Sequence, residues 1–358
     1  MKYSMNFARG SIVFVIIASV CSSGLRAASA AKATARPTSP KPSTTKPTRA
    51  PTTREPITTP KPSTHKPTRA PTSTGNKPTK EPTNIADCSI ETYYGGLLSD
   101  GGTSLRDDVT RSELEGLLTS THGRVLPYTS STGGDDVWKA LADVDAGRES
   151  PDTVRLIYKQ VDVPSMPRGT SDTWNREHLW PSSRGVGSSG ADYTDVHHLR
   201  PADWNVNSAR GNSFFGECGS MAPRAACVSP AHVEAANDTA RDGTIFRPPA
   251  SVRGDIARAA FYMDVRYSAQ NNNGVDLVLT DCPSANSTNE MAYKSQLLAW
   301  HAEDTVSDEE RMRNRRVCER WQGNRNVFVD FPDAARRIFG EPRLPIGDGL
   351  GYAECTAA

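Results

Sequence analysis

The sequence predicts a mixed α+β domain, largely helical with short strands, preceded by an extended stalk. Three observations carry that prediction. Residues 31–84 are dominated by Thr, Pro, Lys and Ser and hold 11 Lys/Arg against only Glu55 and Glu81. Residues 85–358 instead hold 28 Lys/Arg against 39 Asp/Glu, and apolar residues recur there at helical spacing. Within this second segment, 171–217 is rich in Gly, Ser, Asn and Asp, which leaves room only for short strands. The segment charges of +9 and −11, with +3 from residues 1–30, average to the whole-chain +1. A uniformly basic nucleic-acid coat and a uniformly disordered polyanion are both excluded. Nearly all the aromatic residues lie in 85–358, so the core is there.

Residues 1–30 read as a signal peptide. Lys2 and Arg9 precede the apolar run SIVFVIIASV at 11–20, and Ala28-Ser29-Ala30 supplies a small-residue cleavage site. The run is too short to cross a bilayer, which takes roughly 20 residues. No later segment is long and apolar enough to anchor the chain, so it is expected to be secreted. Residues 31–84 form a linker in which TSPKPSTTKPTRAPT at 38–52 recurs as TTPKPSTHKPTRAPT at 58–72. Proline at this density prevents helix and favours an extended, disordered stalk resembling O-glycosylated spacers. A polycationic tether to a cell wall, to extracellular matrix or to nucleic acid is the alternative.

In the domain at 85–358, residues 111–119 and 135–144 read as helices, the second opening on Asp135 and Asp136. Residues 253–267 give the strongest helical pattern, with Ile256, Ala260, Met263 and Tyr267 on one face and Gly254-Asp255 at the start. Two more helices are expected at 290–301 and 306–321, the latter with a capping box from Ser307 to Glu310. Once the signal peptide and Cys21 are removed, Cys88, Cys218, Cys227, Cys282, Cys318 and Cys355 remain. An even count in an exported chain predicts three disulfides, and the short Gly- and Pro-containing step suggests Cys218 with Cys227. The sequons at Asn237 and Asn286 predict surface positions open to glycosylation.

The chemistry concentrates in TWNREHLWPSSRG at 173–185 and DYTDVHHLRPADWNVNSARGN at 192–212, which hold three of the seven His. Carboxylate, imidazole, amide and guanidinium groups this close together suit metal-assisted attack on a phosphodiester. A carboxylate and an amide oxygen suit a hard cation such as Mg²⁺. A neutral His accepts a proton from water near pH 7, and Arg offers a planar fork to phosphate oxygens.

These strings resemble the endonuclease I family of secreted, non-specific nucleases, whose site is a ββα-metal (His-Me finger) motif. The matching elements are NREHLWP at 175–181, DVHHLRPADWNVNSARGN at 195–212, GDIARAAFYM at 254–263, WHAEDTVSDEERMRNRRV at 300–317 and QGNRNVFVDFP at 322–332. Tyr93-Tyr94, VWKALADVD and VRLIY fit the family's N-terminal portion, so the resemblance spans 88–342. It implies that Glu177 and Asn207 hold one Mg²⁺, with Mn²⁺ or Ca²⁺ able to replace it, and that His178 is the general base. It also implies an arginine that steadies the phosphate, a role open to Arg184, Arg200 or Arg210. Neighbours on a strand point to opposite faces, so Glu177 and His178 belong at a strand end, near Pro181.

The other residues of the window have plainer readings. His197 reads as a satisfied structural histidine and His198 as an orienting one, while Asp195 suits either a His partner or a turn cap. Trp174, Trp180 and Trp204 read as packing behind the site rather than base-stacking platforms. The expected function is a monomeric, secreted endonuclease cutting DNA and also RNA without sequence preference, leaving 5′-phosphates. Two alternatives stand beside it: a stalked adhesion protein with a decayed site, and a zinc hydrolase of another class. The charge of −11 on the domain is the awkward fact, because non-specific affinity for nucleic acid rests on cations neutralising phosphates.

Overall fold

The computed structural model describes residues 87–219, 226–284, 286–291 and 293–342. The expected signal peptide, the repetitive linker and Cys355 lie outside the described residues. Helix α1 (Ile90–Tyr94) starts where the Ser89 side chain accepts from the Thr92 amide. Helix α2 (Arg111–Thr121) has a complete capping box between Thr110 and Glu113, and α3 (Val137–Val144) is capped by Asp136. Strands β1 (Thr153–Arg155) and β2 (Asp162–Pro164) form a small antiparallel pair. Then β3 (Trp174–His178) and β4 (Leu199–Asp203) pair antiparallel, with Glu177 opposite Arg200 and His178 opposite Leu199.

Helix α4 (Trp204–Arg210) leaves β4 without a loop. The Asp203 side chain accepts from the amides of Asn205 and Val206, so the last strand residue is also the helix cap. Two strands and a helix thus follow one another with the expected site residues on them. Strands β5 (Phe214–Phe215), β6 (Ala240–Arg241) and β7 (Ile245–Arg247) form a three-stranded sheet with β7 in the centre.

Helix α5 (Arg253–Arg266) follows, then the parallel pair β8 (Val278–Leu279) and β9 (Glu290–Met291). Helices α6 (Lys294–Glu303), α7 (Asp308–Arg316), α8 (Val327–Asp330) and α9 (Asp333–Phe339) complete the described chain. Short strands among more abundant helices make it α+β, as the sequence predicts. No helix among the described residues is long and apolar enough to cross a membrane.

The sheet of β3 and β4 separates two apolar clusters. On one side Trp174, Val137, Leu141, Leu199 and Trp321 pack together. On the other, Ala202, Phe215 and Phe246 join the larger core around α5 and α6. Trp174 and Trp180 are buried, their indole N–H groups donating to the carbonyls of Ser165 and Arg184. They pack, as the sequence suggests, and Trp204 is half-buried.

Three helices differ from the sequence reading. Helix α5 is buried all round rather than on one face. Its charged residues are packed against partners on other elements. Arg258 forks onto Glu310 at 2.7 Å, Asp264 takes Arg111 and the Leu279 amide, and Arg266 lies on the Tyr267 ring. The helix expected at 290–301 begins only at Lys294, because Glu290 and Met291 pair with β8. The helix expected at 306–321 stops at Arg316 and widens into a π-type turn over Val317–Gln322, closed by Gly323 in the left-handed region (φ 88°). Its capping box is half made: the Ser307 side chain accepts from the Glu310 amide, but the Glu310 carboxylate goes to Arg258.

Cys218 pairs with Cys227 as the spacing suggests, and Cys88 with Cys318 across 230 residues. Cys282 is also disulfide-bonded. Asn237 and Asn286 both lie at exposed positions.

Gly254 marks the tightest packing of α5. A Cβ there would lie 2.1 Å from the Asp304 carbonyl oxygen and 2.8 Å from the Arg258 guanidinium. The α5 start and the α6 end therefore approach closely, joined by the Gly254 amide donating to Asp304 at 2.8 Å. Gly254→Ala should cost about 1–3 kcal/mol, the range for overpacking a filled site. Urea unfolding of the variant tests this, and an unchanged midpoint would refute the constraint.

Candidate active site

Glu177 and His178 close β3 and point to opposite faces of the two-stranded sheet. Glu177 is 2 % exposed, on the side of the larger core. Its Oε1 accepts from the Tyr158 hydroxyl at 2.7 Å and lies 3.3 Å from Arg210 Nη1. Burial raises its carboxyl above the ordinary range, against the opposing pull of Arg210 and the Tyr158 hydrogen bond. Oε2 has no partner among the described residues.

His178 lies on the other face, stacked on Tyr193 at 4.8 Å and on Tyr128 at 5.7 Å between ring centroids. Its Nε2 is 2.9 Å from the Tyr193 carbonyl oxygen. That oxygen can only accept, so Nε2 carries the proton and Nδ1 keeps its lone pair. Nδ1 has no partner among the described residues. Burial, with His198 close by, lowers the imidazole to about 3, so the ring is neutral across the physiological range.

Asn207, on α4, donates from Nδ2 to Asn175 Oδ1 at 2.6 Å, and the Arg176 carbonyl oxygen lies 3.5 Å from the same nitrogen. A carbonyl on that side fixes the orientation of the amide and leaves Oδ1 unpartnered among the described residues. Asn175 and Glu177 share a face of β3, so Asn207 and Glu177 serve the same side of the sheet.

The three candidate arginines have three different environments. Arg210 is 1 % exposed and donates to the carbonyls of His178, Leu179 and Gly211 at 3.1, 2.8 and 3.2 Å. It therefore fixes the chain on which both Glu177 and His178 sit. Arg200 is held by Asp145 at 3.1 Å and Asp255 at 3.3 Å. Arg184 stacks over the Phe214 ring at 3.8 Å and uses Nε on the Asn212 carbonyl, leaving its Nη donors without partners among the described residues.

Asp195 forms a buried hub behind His178. Its carboxylate accepts from the hydroxyls of Tyr262 and Tyr267, both at 2.7 Å, from Gln322 Nε2 at 3.0 Å and from the His197 amide at 2.8 Å. It thus caps a turn and partners histidines at once, for His122 Nδ1 lies 3.7 Å away. Burial alone would raise its carboxyl, but His122, His197 and the Gln322 hydrogen bond outweigh burial and hold it below the ordinary range. His197 is a satisfied core residue on the Asn324 carbonyl, and His198 hangs on the Asp192 carbonyl against the His178 ring.

Sequence reasoning missed Tyr158, Tyr128, Tyr193 and Arg176, all of which touch or orient the pair. Tyr158 lies in the VRLIY string, so a signal for it existed. Arg176 and Tyr193 likewise lie in the quoted strings at 173–185 and 192–212, whereas nothing local marked Tyr128.

The donor set suits a hard cation. Glu177 Oε2 and Asn207 Oδ1 are oxygens on one side of the sheet, one charged and one neutral. Among the described residues no three His, Cys, Asp or Glu side chains gather into a metal-binding group, and a cation held by Glu177 and Asn207 would keep most of its ligands as water. That habit is typical of Mg²⁺.

The family model described as Endonuclease I matches residues 128–333. The chain is similar to a protein named extracellular ribonuclease from Bacillus amyloliquefaciens, 38 % identical over 251 residues, covering 70 % of this chain and 78 % of that one. It is also similar to one of the same name from Bacillus subtilis (strain 168), 37 % identical over the same shares.

The histidines around Asp195 give the site a measurable acid sensitivity. Burial lowers His197 and His198 to about 4, below the roughly 6.5 of an unfolded chain. The stability of a neutral buried imidazole is complete above about 6.5 and is lost as the pH falls toward 4. The raised carboxyls of Asp192, Asp264 and Glu310 act oppositely over the same interval, so a difference isolates the effect. In His197→Gln the amide can still donate to Asn324, but the proton linkage is gone. The gap in urea midpoint between wild type and His197→Gln should shrink from pH 7.5 to pH 5. A gap that holds constant or widens refutes the assignment.

Proposed function

The chain belongs to the endonuclease I family and is a nuclease, and we propose that it is a secreted, Mg²⁺-dependent endonuclease that uses His178 as general base. The observation that carries this reading is the Tyr193 carbonyl on His178 Nε2, which leaves Nδ1 as a bare proton acceptor at the end of β3. Glu177 and Asn207 would hold the cation through Oε2 and Oδ1, with Mn²⁺ or Ca²⁺ able to take its place. Bound there, the cation would act as a Lewis acid toward the phosphate and offset charge on the leaving oxygen.

The chain's own groups supply the rest. Nδ1 of His178 takes a proton from the attacking water as the new P–O bond forms. The P–O3′ bond breaks, the 3′ oxygen takes a proton from solvent, and the phosphate stays on the 5′ side. Arg184, of the three candidates, has Nη donors without partners among the described residues and so can steady a non-bridging oxygen, whereas Arg200 and Arg210 are committed to carboxylates and carbonyls. Tyr128 and Tyr193 fix the imidazole ring, and Arg210 fixes the backbone beneath it. Single-stranded and double-stranded DNA and RNA present the same diester, so no sequence preference is expected. The name of the two Bacillus relatives favours RNA among the substrates.

His178→Ala should keep its metal affinity and lose roughly 10²–10⁴ in rate, the span of general-base catalysis. Glu177→Gln and Asn207→Ala should weaken metal binding, and excess Mg²⁺ should restore part of their activity. Calorimetric titration of Mg²⁺ into each variant, beside its rate on plasmid and total RNA, separates the roles. Loss of metal from His178→Ala with retention in Glu177→Gln would reverse them. EDTA should abolish the activity and Mg²⁺ restore it; activity that persists in EDTA would remove the metal from the mechanism.

A further inference from the structure

Arginines in this domain are held on carboxylates, on backbone carbonyls or on aromatic rings. Arg200, Arg258, Arg313 and Arg325 sit on carboxylates within 4 Å. Arg168 and Arg176 have no carboxylate partner among the described residues and lie on aromatic rings instead. Arg168 Cζ is 5.0 Å from the Trp138 ring centroid. Arg176 Cζ lies between Trp138 at 4.0 Å and Tyr128 at 3.3 Å. Tyr128 in turn stacks on His178. Arg176 and His178 are two apart on β3 and share its face. The planar groups therefore run in a ladder from the imidazole outward: His178, Tyr128, Arg176, Trp138, Arg168.

Stacking holds a guanidinium by its face and leaves its N–H edge for other partners. Arg176 spends Nη1 on the Tyr128 carbonyl and Thr129, while its buried Nε has no partner. The half-buried Arg168 makes no hydrogen bond among the described residues. Two cations without a carboxylate partner among the described residues thus lie in a row that leads away from the general base, in a segment with 28 Lys/Arg against 39 Asp/Glu. A strand being cut carries a phosphate at every nucleotide, so the phosphates beside the scissile one need cations at successive positions.

We propose that Arg168, laid over Trp138 and backed by Arg176, binds a backbone phosphate of the substrate strand to one side of the scissile bond. The inference rests on the nuclease reading above. It also answers the charge problem, since the affinity is concentrated in arginines that aromatic rings, rather than carboxylates, keep in place.

The test uses the full-length protein with Mg²⁺ and compares a long single-stranded oligonucleotide with a dinucleotide of matching sequence. On the long substrate Arg168→Ala should raise KM roughly three- to tenfold with kcat retained, as expected for a lost phosphate contact. The slope of log kcat/KM against log salt should become shallower by about 0.7, the value for one single-strand phosphate. Arg168→Lys, which keeps the charge, should keep most of the slope. The disadvantage of Arg168→Ala should shrink on the dinucleotide, which is too short to reach the outer end of the ladder. Arg315→Ala removes an exposed cation of α7 that pairs with Glu319 and should leave the slope as in wild type. Wild-type slope and KM for Arg168→Ala on the long substrate, from an enzyme that cuts it, would overturn the proposal. A wild-type enzyme that cuts neither RNA nor DNA would overturn the nuclease reading instead.

Discussion

The site depends on one buried cation. Arg210 sits at the end of α4, donates to the Gly211 carbonyl beside it, and reaches back to the end of β3, where it meets the carbonyl oxygens of His178 and Leu179 and the Glu177 carboxylate. A carboxylate that is 2 % exposed is costly unless it is paired and hydrogen-bonded. Arg210 and Tyr158 meet that cost, and the same guanidinium sets the backbone from which His178 projects. The helix supplies Asn207 three residues earlier. The geometry of carboxylate, imidazole and amide is therefore set by one clamp joining strand to helix.

The second organising feature is the division of labour among arginines. Those that carry the fold are on carboxylates: Arg258 on Glu310, Arg313 on Asp145, Arg325 on Asp330. Those near the proposed substrate path, Arg168, Arg176 and Arg184, are on Trp138, Tyr128 and Phe214. Composition averages the two groups into an acidic segment. The electrostatics of the site depend on which cations remain uncompensated, and the net charge does not report that.

Much of this was legible in the sequence, and the limit was distance along the chain. Signals that act within a turn or two were sound: Asp136 caps α3, Cys218 meets Cys227, and Glu177 and His178 end a strand. Long-range partners were invisible. Arg184, Arg200 and Arg210 look alike until Asp145, Asp255 and the β3 carbonyls are placed around them. Helix α5 reads as one-faced in the sequence yet is buried all round, because Asp264 and Arg258 are neutralised by Arg111, on α2, and Glu310, on α7. Asp195 could be named as a turn cap or a His partner, but its tyrosines and Gln322 lie 67 to 127 residues away. The helix expected from 290 lost its first turn to a strand pairing that no local pattern announced.

The chemical unit runs unbroken from Trp174 to Arg210, yet its supports are scattered. Tyr158 precedes it, α5 and the turn at 317–322 follow far behind, and the bridge from Cys88 to Cys318 binds that turn to the chain just before α1. A lone two-stranded hairpin is marginally stable in water, and this one would lack Tyr158 beside Glu177 and Tyr128 against the His178 ring. The motif is accordingly not portable. Excised as a peptide or grafted onto another scaffold, it would keep its letters and lose its geometry, because the precision of the site belongs to the whole domain.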